Sequence, residues 1–169
     1  MKPEIFFTEQ QHFRQLWLWM LLLALDAFIA VGIVQQLFMN NPFGDNPMSD
    51  AGLIITACLI LILNILFIIM RLDTQIQSDG VYYRFFPFQR SYRVIAWDRI
   101  SVAQVREYNP IRDYGGWGMR IGLFGKGQAF NVTGNKGLQL VYDQKIRFLL
   151  GTQKPDEIQK VLQALGRSE

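Results

Sequence analysis

Two of the most unusual side chains in this 169-residue chain are polar residues set inside long apolar stretches. Asp26 interrupts LWLWMLLLALDAFIAVGIVQQL (residues 16–37), and Asn64 interrupts AGLIITACLILILNILFIIM (residues 51–70). Each stretch suffices to cross ~30 Å of hydrocarbon, which takes about 20 residues at a rise of about 1.5 Å. A charged carboxylate midway along such a helix costs roughly 2.5–3.5 kcal/mol on insertion scales, so Asp26 requires a polar partner. In an antiparallel pair Asn64 falls about four residues, or about 6 Å, off the level of Asp26, which leaves a direct bond open. Ala30 lies one turn on along the same face, and Ala27 and Gly32 are close by, so that side allows close helix approach. Three roles suit the carboxylate: polar glue between helices, a proton or ion step, or recognition of a partner membrane protein. All three need more helices than two, which predicts a homo-oligomer or a complex with another membrane protein.

A second set of residues is concentrated in YNPIRDYGGWGMR (residues 108–120), where Arg112, Tyr114, Trp117 and Arg120 surround a proline and three glycines. Trp, Tyr and Arg dominate binding hot spots, so an exposed loop of this composition is a candidate contact surface for a partner or a membrane. The competing reading is a glycine-permitted turn whose Trp packs on a sheet. GLFGKG (residues 122–127) invites comparison with a phosphate-binding loop. That motif needs G-x-x-x-x-G-K-[ST] leading into a helix, and here Arg120 stands at the first glycine and Gly127 at the hydroxyl position.

No catalytic constellation emerges. The acids Asp98, Glu107, Asp113 and Asp143 pair with no evident base, and Ser101 and Thr152 have no companion histidine, His12 being the single one. The lone Cys58 lies inside the second apolar stretch, which argues against a disulfide framework or a metal cluster. Asn131-Val132-Thr133 fits a glycosylation sequon but reads as a strand end. The expectation is therefore no enzyme, no cofactor and no metal. Arg84, Arg93 and Arg147 alternate with apolar residues as on a solvated sheet face, so no nucleic-acid partner is expected either.

These residues need three kinds of element to position them. Residues 1–15 contain PEIFFTEQQHFR, with Phe6, Phe7 and Phe13 among polar residues and Thr8 and Gln11 at capping-box spacing. This predicts a short amphipathic helix lying at a membrane surface. Residues 16–70 predict a two-helix transmembrane hairpin (16–37 and 51–70) with an external loop at 38–50, and Trp17 and Trp19 mark the interface. From residue 71 to 169 the pattern changes to short alternating runs, predicting strands at 72–77, 81–88, 92–96, 101–108, 118–124, 128–132, 138–142 and 145–150. Asp79-Gly80, Gly125-Lys126-Gly127 and Asp143-Gln144 supply the turns. The chain closes with KPDEIQKVLQAL, where Pro155 opens an amphipathic helix presenting Ile158, Val161, Leu162 and Leu165, suited to covering an open end of the sheet.

Charge gives a direction. The external loop has no Lys or Arg, whereas Lys2, Arg14 and Arg71 flank the other ends of the hairpin, so both termini are expected to be cytoplasmic. Of the 17 basic residues 15 lie from Arg71 onward, against 9 of the 14 acidic ones, a net +6 for that region. An anionic leaflet would attract it by up to about 1 kcal/mol per basic residue near the surface, making membrane lipids expected partners. A merely solvated basic face fits as well.

Two spans, then a β run containing Val94-Ile95-Ala96-Trp97-Asp98-Arg99-Ile100, then Gly-Leu-Gln-Leu from Gly137 and a Pro-initiated last helix, form a recognisable arrangement. It resembles bacterial two-helix membrane proteins with a pleckstrin-homology-like cytoplasmic domain, over about residues 72–166. The resemblance implies a mainly β, partly open barrel of seven strands capped by a C-terminal helix, in a bacterial inner membrane. It also implies a non-catalytic binding or assembly platform. Relatives that bind inositol phosphates carry a basic K-x(n)-R-x-R pattern in the first hairpin. Here that hairpin is QIQSDGVYYRFF with Arg84 as its only base, so no phosphoinositide pocket is carried over. Two alternatives stay open: an accessory subunit of a transport or proton-coupled complex using Asp26, and a sensor of anionic lipid headgroups.

Overall fold

The computed structural model describes residues 3–122 and 126–167. The chain forms two compact units, one of residues 14–69 and one that joins residues 1–13 to 70–169.

The first unit is a helical hairpin. Helix α1 (Leu16–Ile33) runs on through a π-helical turn, Val34–Phe38, and α2 (Asp50–Ile69) returns. Spans of 23 and 20 residues make both helices long and apolar enough to cross a membrane. The connecting loop folds back onto them. Gln36 Nε2 donates to Met48 O (2.8 Å) and to Asp50 Oδ1 (2.6 Å), and the Phe43 ring meets Phe28 edge-on at 5.2 Å. A Cβ on Gly32 would sit 2.9 Å from the Phe43 ring, so this glycine accommodates the loop aromatic as well as lying near the helix pair.

The second unit is mostly β, with nine strands among the described residues. Strands β1 (Ile5–His12), β2 (Arg71–Gln77), β3 (Gly80–Phe86) and β4 (Arg93–Ala96) form an antiparallel sheet in that order. The other sheet has the order β5-β8-β9-β7-β6, from β5 (Ile100–Glu107), β6 (Gly118–Ile121), β7 (Gln128–Asn131), β8 (Lys136–Tyr142) and β9 (Ile146–Gly151). Between β5 and β6 lies a short helix, α3 (Pro110–Tyr114), and the chain ends in α4 (Pro155–Ala164). Aromatic rings join the two sheets: Tyr83 of β3 lies 4.7 Å from Phe148 of β9 and 5.7 Å from Phe130 of β7, and Phe85 lies 5.9 Å from Phe130. These are offset and edge-on geometries that add to the burial of large apolar area. Helix α4 buries Ile158 and Leu162 against β1, β5 and β8, the face its period of 3.6 foretells.

Four expectations are corrected. Residues 5–12 form a strand, where an interfacial amphipathic helix is expected. Alternate residues Phe7, Glu9 and Gln11 point inward, and because two of these are polar the period-2 signal is hidden from hydrophobicity alone. The β region is not a simple meander of seven or eight strands, since β9 inserts between β8 and β7 and runs parallel to β7. The two sheets do not close into a barrel. Finally, residues 110–114 are helical, with Asn109 capping the turn through bonds from the backbone N–H of Ile111 (3.1 Å) and Arg112 (2.9 Å). The predicted strand 118–124 is confirmed through Ile121, and its last two residues lie outside the described ones, as does Gly125 of the predicted turn.

Candidate functional site

The two polar residues of the apolar helices meet. Asn64 Nδ2 donates to both carboxylate oxygens of Asp26, at 2.8 and 3.0 Å. One amide group is thus shared between two acceptors, and both residues remain half-exposed at the surface of the hairpin. A carboxylate can take about four hydrogen bonds, and among the described residues Asn64 is its one side-chain partner.

The segment from Tyr108 to Arg120 behaves differently from an exposed contact loop. Tyr114 is only 3% exposed and packs edge-on against Tyr108, with ring centroids 5.9 Å apart, over Ala129 and Leu149. Ala129 and Leu149 stand side by side on the face of the five-stranded sheet opposite the aromatic core. Helix α3 therefore lids that outer face, which removes Tyr114 from the contact set. Arg112 and Arg120 stay exposed, while Trp117 is half-buried with its indole N–H donating to Gly134 O at 3.3 Å. The lid is pinned by polar bonds. Asn131, the apparent sequon residue, is wholly buried, donating to the Tyr108 hydroxyl (3.0 Å) and accepting from Gly118 N (2.9 Å). Burial pushes the Tyr108 hydroxyl up to about 12, so it stays protonated and available as a donor.

Beside this lid the outer face opens into a cavity of about 410 Å³. Cross-strand register builds its floor: Gln104 lies opposite Gln139, and Val102 opposite Val141, which in turn faces Arg147. Arg106 stands at one side, and Asp113 of α3 with Lys126 closes another. The arginine is fixed, its Nε and Nη2 donating to Gln139 Oε1 at 3.0 and 2.9 Å and Nη2 also to the Tyr114 hydroxyl at 3.2 Å. Lys126 Nζ pairs with Asp113, whose carboxyl is held below the usual carboxylate range by that bond and by the backbone N–H of Asn109. Arg147 is exposed, and its side chain makes no hydrogen bond or ion pair among the described residues. The glycine after Lys126 is forced: Gly127 has φ +84°, and a Cβ there would lie 2.0 Å from Arg147 O.

Two further polar sites escaped sequence reasoning. Asp73, 2% exposed, receives Arg84 Nε (2.9 Å) and Nη2 (2.5 Å) and Gln10 Nε2 (2.8 Å), and the Arg84 guanidinium stacks 4.6 Å from the Tyr92 ring. The only base of the first hairpin is thus committed to a partner. Glu9, 7% exposed, accepts from the Thr152 hydroxyl (2.6 Å) and from Gln153 N (2.8 Å) at the approach to α4. Burial nevertheless pushes its carboxyl above the ordinary value. The alternation of Glu9 with Phe7 was the available signal for the second site, and Asp73, between Leu72 and Thr74, offered none. No group of three or more metal-ligating side chains forms among the described residues.

No protein-family model matches the sequence, and no curated protein matches it.

Proposed function

We infer that the chain is a non-catalytic, membrane-anchored binding and assembly module: a two-helix hairpin that associates with copies of itself or with another membrane protein. It carries a pleckstrin-homology-like β domain at the inner leaflet. The observation that supports this best is the Asp26–Asn64 pair. Its carboxylate, half-exposed on helices whose surface is otherwise apolar, has acceptor capacity that a single amide does not fill. A neighbouring helix can supply the missing donors, and polar side chains at that depth act as interhelical glue worth about 0.6–2 kcal/mol.

The strand pairing supports the orientation. Strand β1 precedes the hairpin, β2 follows it, and the two pair with His12 opposite Arg71, so both ends of the hairpin belong on one side of a bilayer it crosses. The basic flanks favour the cytoplasmic side. Sheets backed by a C-terminal helix suit the pleckstrin-homology-like reading, from which the additional strand β1 and the parallel β7–β9 pair depart.

Chemical crosslinking in native membranes followed by size analysis in detergent tests this. The wild-type chain is expected in a species larger than the monomer, and Asp26→Leu is expected to dissociate it. A wild-type chain captured only as monomer would overturn the assembly reading. An Asp26→Asn variant that keeps the complex intact but loses a transport activity would instead favour an accessory role in proton or ion movement.

A further inference from the structure

We propose that the outer-face cavity of the five-stranded sheet is a binding site for a phosphate monoester with an apolar body, held by Arg147 and Lys126 against the Val102–Val141 floor. The site is independent of the hairpin and of the assembly it supports.

Charge is the first argument. Arg106, Lys126 and Arg147 line the cavity with Asp113 as the sole carboxylate, an excess of two positive charges. A phosphate monoester carries about −1.5 to −2 at neutral pH and presents three strong acceptor oxygens, which matches that excess. The cations share one volume. Burial raises the Tyr114 hydroxyl above its ordinary value while both Arg106 and Arg147 act to lower it, so both cations lie near that ring.

Availability is the second argument. Arg106 is spent on Gln139, Tyr114 and the Glu107 carbonyl, and so acts as a fixed background charge. Lys126 gives one N–H to Asp113, which leaves two of its three for a ligand. Arg147 keeps its fork of donors, the geometry suited to bidentate contact with phosphate oxygens. Arg84 and Arg99 are each bound to a carboxylate, whereas the guanidinium at the cavity has no carboxylate partner among the described residues.

Size and polarity are the third. The volume of about 410 Å³ lies within the roughly 300–1,000 Å³ of small-molecule sites, more than a bare oxyanion occupies. Two valines on adjacent strands and the aliphatic stem of Arg147 in the same row give the non-phosphate part of a ligand an apolar surface. The register that sets this row is locked by the close approach of Gly127 to Arg147, so the site is built before a ligand arrives.

The test uses the full chain in phosphatidylcholine nanodiscs, titrated calorimetrically with phenyl phosphate and with inorganic phosphate. Saturable one-to-one binding of phenyl phosphate, tighter than that of inorganic phosphate, is expected. Arg147→Ala, which removes an exposed side chain that no internal bond uses, should weaken it at least tenfold, and Lys126→Ala should weaken it as well. Arg112→Ala, which removes an exposed charge outside the cavity, should leave it unchanged. Repeating the titration in discs containing phosphatidic acid separates the sources of the ester. Weakened phenyl phosphate binding there assigns the site to a lipid headgroup, and unchanged binding assigns it to a soluble ester. Absence of phenyl phosphate binding to the wild type, or equal losses in Arg112→Ala and Arg147→Ala, would overturn the proposal.

Discussion

Replacing Gly127 by alanine separates two physical effects that the structure assigns to one residue. The first is conformational: φ at this position is +84°, where an L side chain is strained by about 1–2 kcal/mol. The second is steric. The new Cβ would lie 2.0 Å from Arg147 O and 2.7 Å from Arg147 Cβ, so β7 must move about 1 Å or more from its parallel partner β9, and overpacking of this kind costs about 1–3 kcal/mol. Together they predict a loss of about 2–5 kcal/mol. Gly134 supplies the control. Its φ is +80°, yet a Cβ there meets nothing within 4 Å, so Gly134→Ala should show the conformational part alone, about 1–2 kcal/mol. Thermal unfolding of the full chain in detergent, followed by near-ultraviolet circular dichroism of the Tyr83, Phe130 and Phe148 cluster, reads the difference. At about 4 °C or more per kcal/mol for a domain of this size, Gly127→Ala should melt several degrees below Gly134→Ala. Equal melting temperatures would show that β7 and β9 do not approach as described, and the shape of the cavity would fall with them. Phenyl phosphate binding should also be lost in Gly127→Ala and kept in Gly134→Ala, because only the former displaces Lys126 from Arg147.

Three other outcomes follow from the same packing. Tyr114→Ala, which empties the space under α3, should cost about 3–5 kcal/mol in urea unfolding, and Tyr114→Phe, which removes only the hydroxyl's bonds with Arg106 and the Lys126 carbonyl, about 1 kcal/mol. Asp73→Ala strands the half-buried Arg84 and should destabilise by about 3 kcal/mol or more, whereas Asp143→Ala, breaking the exposed pair with Arg99, should cost far less in the same assay. For Glu9 the sign follows from burial raising its carboxyl above 4.5 in the fold. A raised folded value contributes stability that is fully present below the unfolded value and is lost as pH rises through the folded one. The melting temperature of Glu9→Gln relative to wild type should therefore increase from about pH 4 to about pH 7. A difference that stays constant over that window would place Glu9 in solvent.

The sequence by itself determined the elements whose environment is uniform along their length. Two stretches apolar on every side became helices, eight alternating runs became strands, and a proline followed by acids and a single apolar stripe became α4. Periodicity reports these because each residue's burial depends only on which way its own element faces. It failed at β1, where Glu9 and Gln11 take inward positions. Their partners, Thr152, Gln153 and Gly151, lie at the far end of the chain. It also left Tyr114 among exposed contacts, since nothing local shows that a five-residue helix would lid the outer face of a sheet.

Of the candidate site, the polar residues inside the apolar stretches were legible because a carboxylate or amide at that depth has few explanations. The cavity was not. Arg106, Lys126 and Arg147 belong to different segments, and they share a wall because β9 inserts between β8 and β7 and fixes a register across five strands. Each of these basic residues, read alone, is an ordinary solvated charge. Only strand order and register, set by the burial of Phe130, Phe148 and Leu150 on the opposite face, turn three such charges into one site.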